Sequence, residues 1–332
     1  MQPRPPHLDP ADHARPGQAV HARPVIPSRQ ITRKTSIVAD TVSLPPRYAV
    51  RSTSARRKRR TAMRVSVLVE NHSHRPALRA EAGLALWIEH NGHRVLFDTG
   101  RGGLLLENAA KMGVDLSTLS HLVLSHGHYD HSGGLAALSP ILHKRPQLIA
   151  HPHALLPRAA MLGPWRLRRL GIPAIPADLE SRFDLQLHRE PYHFADDFVF
   201  LGRIPRRTYR EGQGAMGRLW PNTGRSAPDR VEDDSALVCR TEKGLIIFSG
   251  CAHAGIRHTV DYAMEVCGDS RVRAVIGGFH LRSAGPLRLL NVRRYFQSRA
   301  GALLFACHCS GYARHFLPRQ TNIAVGNRLV FD

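Results

Sequence analysis

Residues 121–135 read HLVLSHGHYDHSGGL. The apolar run Leu122-Val123-Leu124 predicts a buried strand over Leu119–Ser125, which opens on to His126, Gly127, His128, Tyr129, Asp130 and His131. Transition metals take neutral imidazole nitrogen and carboxylate oxygen at about 2 Å. His126 and His128, two apart on an extended turn, can face one ion, and Asp130 and His131 a neighbouring one. Two ions so placed can share a bridging hydroxide, because metal lowers the pKa of bound water from about 15.7 to about 7. Asp130 is the expected catalytic residue, orienting that hydroxide and moving its proton. Gly127, Gly133 and Gly134 allow the tight backbone path, and Gly134–Leu142 resumes helical spacing. A solvated histidine-rich loop is the plain alternative; the order of residues after a strand and before two glycines argues against it.

Upstream lies Phe97-Asp98-Thr99-Gly100. HxHxDH together with FDTG resembles the metallo-β-lactamase superfamily. That resemblance implies an α/β fold, a four-layer αββα sandwich with mixed sheets and the metal site at one edge. It also implies that Asp98 orients a ligand histidine rather than binding metal; without it, Asp98 reads equally as a turn residue before glycine. LVEN at 68–71, FLGRIPR at 200–206, EDDSAL at 232–237, GLIIFSGCAHAGI at 244–256, GGFHL at 277–281 and CHCSG at 307–311 extend the resemblance over most of 63–332. Together they are similar to the branch that contains the archaeal dihydropterin ribofuranosylaminobenzene phosphate synthase.

Against the wider superfamily, the third histidine and the bridging aspartate are both displaced. The resemblance implies that His253 completes the set around the first ion. Cys251 stands beside it as a thiolate ligand or a small packing residue, and Asp234 as a supporting carboxylate, a ligand or a surface turn acid. His280 and His308 compete for the last position, one binding the second ion and the other substrate. Glu70 and Asn71 end the first strand near the expected pocket mouth. Arg203 and Arg206, with Arg207 beside them, flank Pro205 and suit a phosphate or carboxylate.

Further out, Arg64–Glu70 and Ala85–Glu89 read as strands, and His90-Asn91-Gly92-His93 as a hairpin turn into Arg94–Phe97. Leu104–Met112 reads as a helix, Gln147–Ala150 as a strand and His151–Arg169 as a helical stretch broken by prolines. Residues 172–232, punctuated by proline and glycine, read as a lid insert. The C-terminal third predicts strands Ala236–Arg240, Leu245–Ser249, Val272–Ile276 and Leu303–Ala306, with helices Thr259–Val266 and Leu287–Arg299. Residues 1–62 hold nine of the 23 prolines and 13 of the 47 basic side chains. They read as a disordered Arg/Pro-rich extension, and Met63, which opens MRVSVLVEN, is a candidate translation start. The domain is therefore expected over 63–332.

The net charge of +21 invites a nucleic-acid partner, but its concentration in the extension and its scatter elsewhere argue against one. Five cysteines without a CxxC pair point to a reducing, cytoplasmic compartment rather than a disulfide scaffold. No apolar run reaches the length of a membrane span. The expectation is a hydrolase of small-molecule esters, phosphoesters or related substrates with two divalent ions, zinc first, manganese or iron also compatible. A synthase-like transferase and a basic nucleic-acid-binding protein are the alternatives.

Overall fold

β1 (Met63–Val69), β2 (Ala85–His90) and β3 (His93–Phe97) form an antiparallel meander. Asn91 (φ 48°) and Gly92 (φ 83°) supply the left-handed pair that the two-residue turn between β2 and β3 requires. The computed structural model describes residues 61–163, 165–173, 175, 179–207, 209–220 and 225–332. The expected extension lies outside the described residues apart from Thr61 and Ala62.

After α1 (Leu104–Lys111) the chain passes through β4 (His121–Val123), the single turns α2 (Tyr129–Ser132) and α3 (Leu135–Leu138), and β5 (Gln147–Ala150). Then come β6 (Arg158–Leu162), β7 (Trp165–Arg169), α4 (Leu179–Arg182), β8 (Asp184–Leu187), β9 (Tyr192–Phe194) and β10 (Phe198–Phe200). The last part comprises β11 (Arg218–Leu219), β12 (Ala227–Pro228), β13 (Ala236–Thr241), β14 (Gly244–Ser249), α5 (Ile256–Cys267), β15 (Val272–Gly278), α6 (Pro286–Gln297), β16 (Leu303–Cys307) and β17 (Arg328–Phe331).

These strands pair as β17-β1-β2-β3-β4-β5-β8 in one sheet and β16-β15-β14-β13-β10-β9 in another, with β12-β11-β6-β7 as a small third sheet. Both large sheets are mixed. Val65, Ile88 and Phe97 of the first pack against Phe198, Phe248 and Ile276 of the second. The outer face of the first sheet is covered by α1 and α3, through Leu105, Leu122 and Leu135. That of the second is covered by α5 and α6, through Ile247, Val260 and Phe296. Helix, sheet, sheet and helix therefore stack as an αββα sandwich. Each fully buried Leu, Ile or Phe contributes about 1.5–3 kcal/mol, so this alternation of inward apolar residues drives the layering.

Two expectations are corrected. His151–Arg169 is not helical beyond a short 3-10 turn at Pro152–Leu155; it continues as the β6–β7 hairpin. Trp165, Leu167 and Arg169 alternate with Arg166 and Arg168 at the period of a strand, and register with Arg218–Leu219 selects the extended form. The stretch 172–232 is not one lid, because β8 belongs to the first large sheet and β9 and β10 to the second. The terminal strand β17, beside β1, was not foreseen.

Topology collects the chemistry. β3, β4 and β5 run parallel in one sheet, and β14, β15 and β16 run parallel in the other. Asp98 follows β3, the 126–131 loop follows β4, Cys251 and His253 follow β14, His280 follows β15, and His308 follows β16. The carboxyl ends of parallel strands are where such folds gather their polar loops.

Candidate metal centre

Asp98 sits at the root of the centre, fully buried, with its backbone in the left-handed region at φ 61°. Its Oδ1 accepts from the backbone N–H of Ser125 at 2.7 Å, and its Oδ2 from Ser125 Oγ at 2.8 Å and His131 Nδ1 at 2.7 Å. Since a carboxylate only accepts, His131 carries its proton on Nδ1 and turns the lone pair of Nε2 outward. That Nε2 lies 3.2 Å from His308 Nε2 and 3.2 Å from Cys251 Sγ. His308 is set the same way: its Nδ1 meets Asn71 Oδ1 at 2.9 Å, and its backbone N–H donates to Glu70 Oε1 at 2.8 Å. Asp130 Oδ2 is 3.6 Å from His308 Nε2. Asp130, His131 and His308 thus form one donor group.

The second group is His126, His128 and His253, whose donor atoms lie within 4.8 Å of one another. Ser125 Oγ holds His126 Nδ1 at 2.8 Å, which leaves His126 Nε2 facing His128 Nδ1 at 3.0 Å. His253 Nε2 is buried and has no hydrogen-bond partner among the described residues. Gly127 carries the turn between the two histidines, where a Cβ would stand 2.0 Å from the carbonyl oxygen of Ala154, so no larger residue fits. Its N–H donates to Asp233 Oδ2 at 2.8 Å, and Arg158 donates to the same oxygen at 2.9 Å.

Whether these residues suit metal ions can be tested on their own geometry. Tetrahedral coordination with bonds of about 2.0–2.1 Å spaces nitrogen donors about 3.3 Å apart. The separations of 3.0 Å and 3.2 Å come close to that, and His128 Nε2 and His253 Nε2 are buried without a hydrogen-bond partner among the described residues. His131, His308 and His126 each have their second nitrogen held by a partner, as ligand imidazoles do. Burial, with the charges of neighbouring histidines, pushes His126 and His253 well below the usual histidine range. Burial likewise takes His128 and His308 down to about 3, so all four are neutral donors at pH 7. At His131 burial also favours the neutral ring, but the carboxylates of Asp98 and Asp130 outweigh it and push the group up to about 9. A cation at that place would replace the proton. The donor set therefore fits divalent metal.

His280 belongs to neither group: its ring centroid lies 4.6 Å from that of His253, and it joins Cys251 and His253 in a third cluster. Asp234 is buried and accepts from the N–H of Ala254 at 2.8 Å, so it braces the loop bearing His253 and is no surface turn acid. Cys251 is buried with its Sγ between the two donor groups. The expectation for Arg203 and Arg206 is corrected. Arg203 pairs with Glu232, and Arg206 reaches Glu232 and the carbonyl of Arg230, so neither lines the cavity at the centre. That cavity, about 400 Å³, carries Arg168 from β7 and Arg282 from the turn after β15 instead. Sequence reasoning missed both, and it missed Asp233, whose neighbour it named. The three consecutive residues Glu232-Asp233-Asp234 gave the only signal, and it did not say which carboxyl turns inward.

Among the described residues no helix is long and apolar enough to cross a membrane. The family described as "Metallo-beta-lactamase superfamily" matches residues 78–228. An uncharacterised protein of Methanocaldococcus jannaschii is 30% identical over 265 residues, covering 79% of this chain and 97% of that protein. The 7,8-dihydropterin-6-methyl-4-(beta-D-ribofuranosyl)-aminobenzene-5'-phosphate synthase of the same organism is 31% identical over 231 residues, covering 68% of this chain and 79% of the synthase. The crystal structure of Tm1679, described as a metal-dependent hydrolase of the beta-lactamase superfamily, superposes with a TM-score of 0.69 at 28% identity, covering 81% of this chain and 100% of that one. On this family match, these relatives and this shared fold, the chain belongs to the metallo-β-lactamase superfamily.

Proposed function

We propose that the chain is a metal-dependent hydrolase of a small-molecule ester, phosphoester or related substrate. His126, His128 and His253 would hold one divalent ion, and Asp130, His131 and His308 another. The observation that carries this reading is the pair of nitrogen separations, 3.0 Å between His126 and His128 and 3.2 Å between His131 and His308, at the floor of one cavity. Zinc suits these nitrogen and carboxylate donors best, and manganese or iron is compatible. Such ions supply Lewis-acid polarisation of the bond to be broken and deprotonate water at neutral pH.

The protein's own residues do the rest. Asp98 and Asn71 fix the orientation of His131 and His308, and Ser125 that of His126. Asp130, one fifth exposed at its side chain, borders the cavity and is placed to accept a proton from water and return it to the leaving group. Arg168 and Arg282 favour an anionic group on the substrate. The size of the cavity supports a small molecule rather than nucleic acid, and five free cysteines suit a reducing compartment such as the cytoplasm.

Elemental analysis of the purified protein, with a screen of phosphodiester, phosphomonoester, lactone and thioester substrates, tests the reading against His128→Ala. Two equivalents of metal and hydrolysis lost in the variant are expected. A protein that refuses zinc, manganese and iron alike overturns it. Likeness to the M. jannaschii synthase favours a second reading, group transfer to an organic acceptor, which turnover only in the presence of two organic substrates would establish.

A further inference from the structure

Two thiols and one imidazole stand against the cavity and take no part in the six-residue centre proposed above. Cys251, His280 and Cys309 all border the cavity. Cys309 Sγ accepts from the backbone N–H of His280 at 3.3 Å and lies 3.6 Å from the carbonyl oxygen of Cys251. The donor atoms of Cys251, His253 and His280 fall within 4.8 Å of one another, as do those of Cys251, His308 and Cys309. His280 Nδ1 is buried without a hydrogen-bond partner. The turns that present these side chains are held in the left-handed region at Ala252 (φ 52°), His280 (φ 52°) and His308 (φ 50°). Non-glycine residues there cost about 1–3 kcal/mol each, and such conformations persist where surrounding structure fixes them for a purpose.

We propose that Cys251, Cys309 and His280 form a further cation position, beside the two of the centre, for a thiophilic divalent ion such as zinc or cadmium. The proposal rests on the preceding reading only in taking His253 for the first ion. Two sulfurs and one imidazole are the ligands of an open zinc site, in which a fourth position stays available to water or substrate. Here that fourth position faces the cavity. Softness separates this position from its neighbours: thiolates select zinc and cadmium, whereas a site built on Asp130 tolerates manganese or magnesium. Cys251 Sγ, 3.2 Å from His131 Nε2, is placed to bridge the new position and the second ion. An alternative use of the two thiols is simple packing, and the experiment separates the two.

The full chain, stripped with chelator, is titrated with Co(II) and separately with Cd(II). Ions bound are counted by elemental analysis, and thiolate ligation is read from the sulfur-to-cobalt charge-transfer absorption. Cys309→Ser and His280→Gln are compared with wild type, and circular dichroism checks the fold. The expected results are three equivalents of cadmium in wild type and two in either variant, with the charge-transfer band of Cys309→Ser cut to about half or less, since only Cys251, beside the second ion, is left to ligate. Bound cadmium should also slow alkylation of Cys309 in wild type by about tenfold or more, a readout that needs no variant. If wild type takes two ions without a thiolate band, and cadmium leaves Cys309 open to alkylation, this position does not exist while the two-ion centre stands. If no ion binds at all, both readings fall.

Discussion

Nδ1 of His131 donates to Oδ2 of Asp98 at 2.7 Å, and both side chains are completely buried. Through that bond one carboxylate, already accepting from the N–H and hydroxyl of Ser125, decides which nitrogen of His131 faces His308 and Cys251. Ser125 in turn contacts His126, so Asp98 touches one donor group directly and the other at one remove. Asp98→Ala should lower zinc affinity roughly 10–100-fold, the usual loss when a partner of a ligand histidine is removed. Competition against a chromophoric chelator measures it, and an unchanged affinity would show that the Asp98 bond is only structural.

Arg158 should prove the most sensitive residue outside the centre. Its side chain is wholly buried between Asp229 and Asp233, and Asp233 also receives the N–H of Gly127. Removing one partner of such a group strands a buried charge at a cost of about 3–5 kcal/mol. Arg158→Met is therefore expected to lower the denaturant midpoint by that equivalent and to loosen the His126–His128 turn, so that metal stoichiometry falls too. A midpoint within about 0.5 kcal/mol of wild type, the range of ordinary surface changes, would contradict this.

The four side chains His126, His128, Asp130 and His131 and the strand that delivers them were legible because spacing alone places them on one turn. The αββα layering followed from resemblance, and most C-terminal strands and helices from local periodicity. What stayed hidden depends on contacts between distant segments. The hairpin at 158–169 needs Arg218–Leu219 to pair with it, and without that partner an Arg-rich apolar stretch suits a helix as well. Arg203 and Arg206 looked available for substrate because the sequence does not reveal that Glu232 comes to meet them. The choice between His280 and His308 is likewise tertiary: Asn71 and Glu70, some 237 residues away, orient His308 toward His131.

Arg168 and Arg282 enter the cavity from opposite parts of the sequence, and Arg168 also stacks over Tyr129 with its guanidinium carbon 5.3 Å from the ring centre. Both side chains are exposed, so each contact to a substrate anion should contribute only about 1.4 kcal/mol, roughly tenfold in affinity. Arg168→Ala and Arg282→Ala are expected to raise KM for an anionic substrate by that factor, with metal content unchanged and little effect on a neutral analogue. Equal losses on charged and neutral substrates would assign these arginines to cavity shape instead.

His121 offers a test of acid stability away from the metal centre. It lies on β4 with its ring centre 5.0 Å from that of Phe194 and 5.7 Å from that of His93. Burial first, and the positive charge of His93 second, bring its pKa down from 6.5 to about 4. Between those values the unfolded chain takes up a proton that the folded one refuses. The sign is therefore fixed: stability contributed by neutral His121 is complete above pH 6.5 and is lost as pH falls toward 4. His121→Phe keeps an aromatic ring against Phe194 and removes the titration. In urea unfolding of the chelator-treated protein from pH 7 to pH 4, the variant should lose less stability than wild type, the difference opening below pH 6.5 and levelling near pH 4. Because the centre's histidines titrate alike in both proteins, the gap between the two curves isolates His121. Parallel curves across that window would mean that the ring is already protonated in the fold.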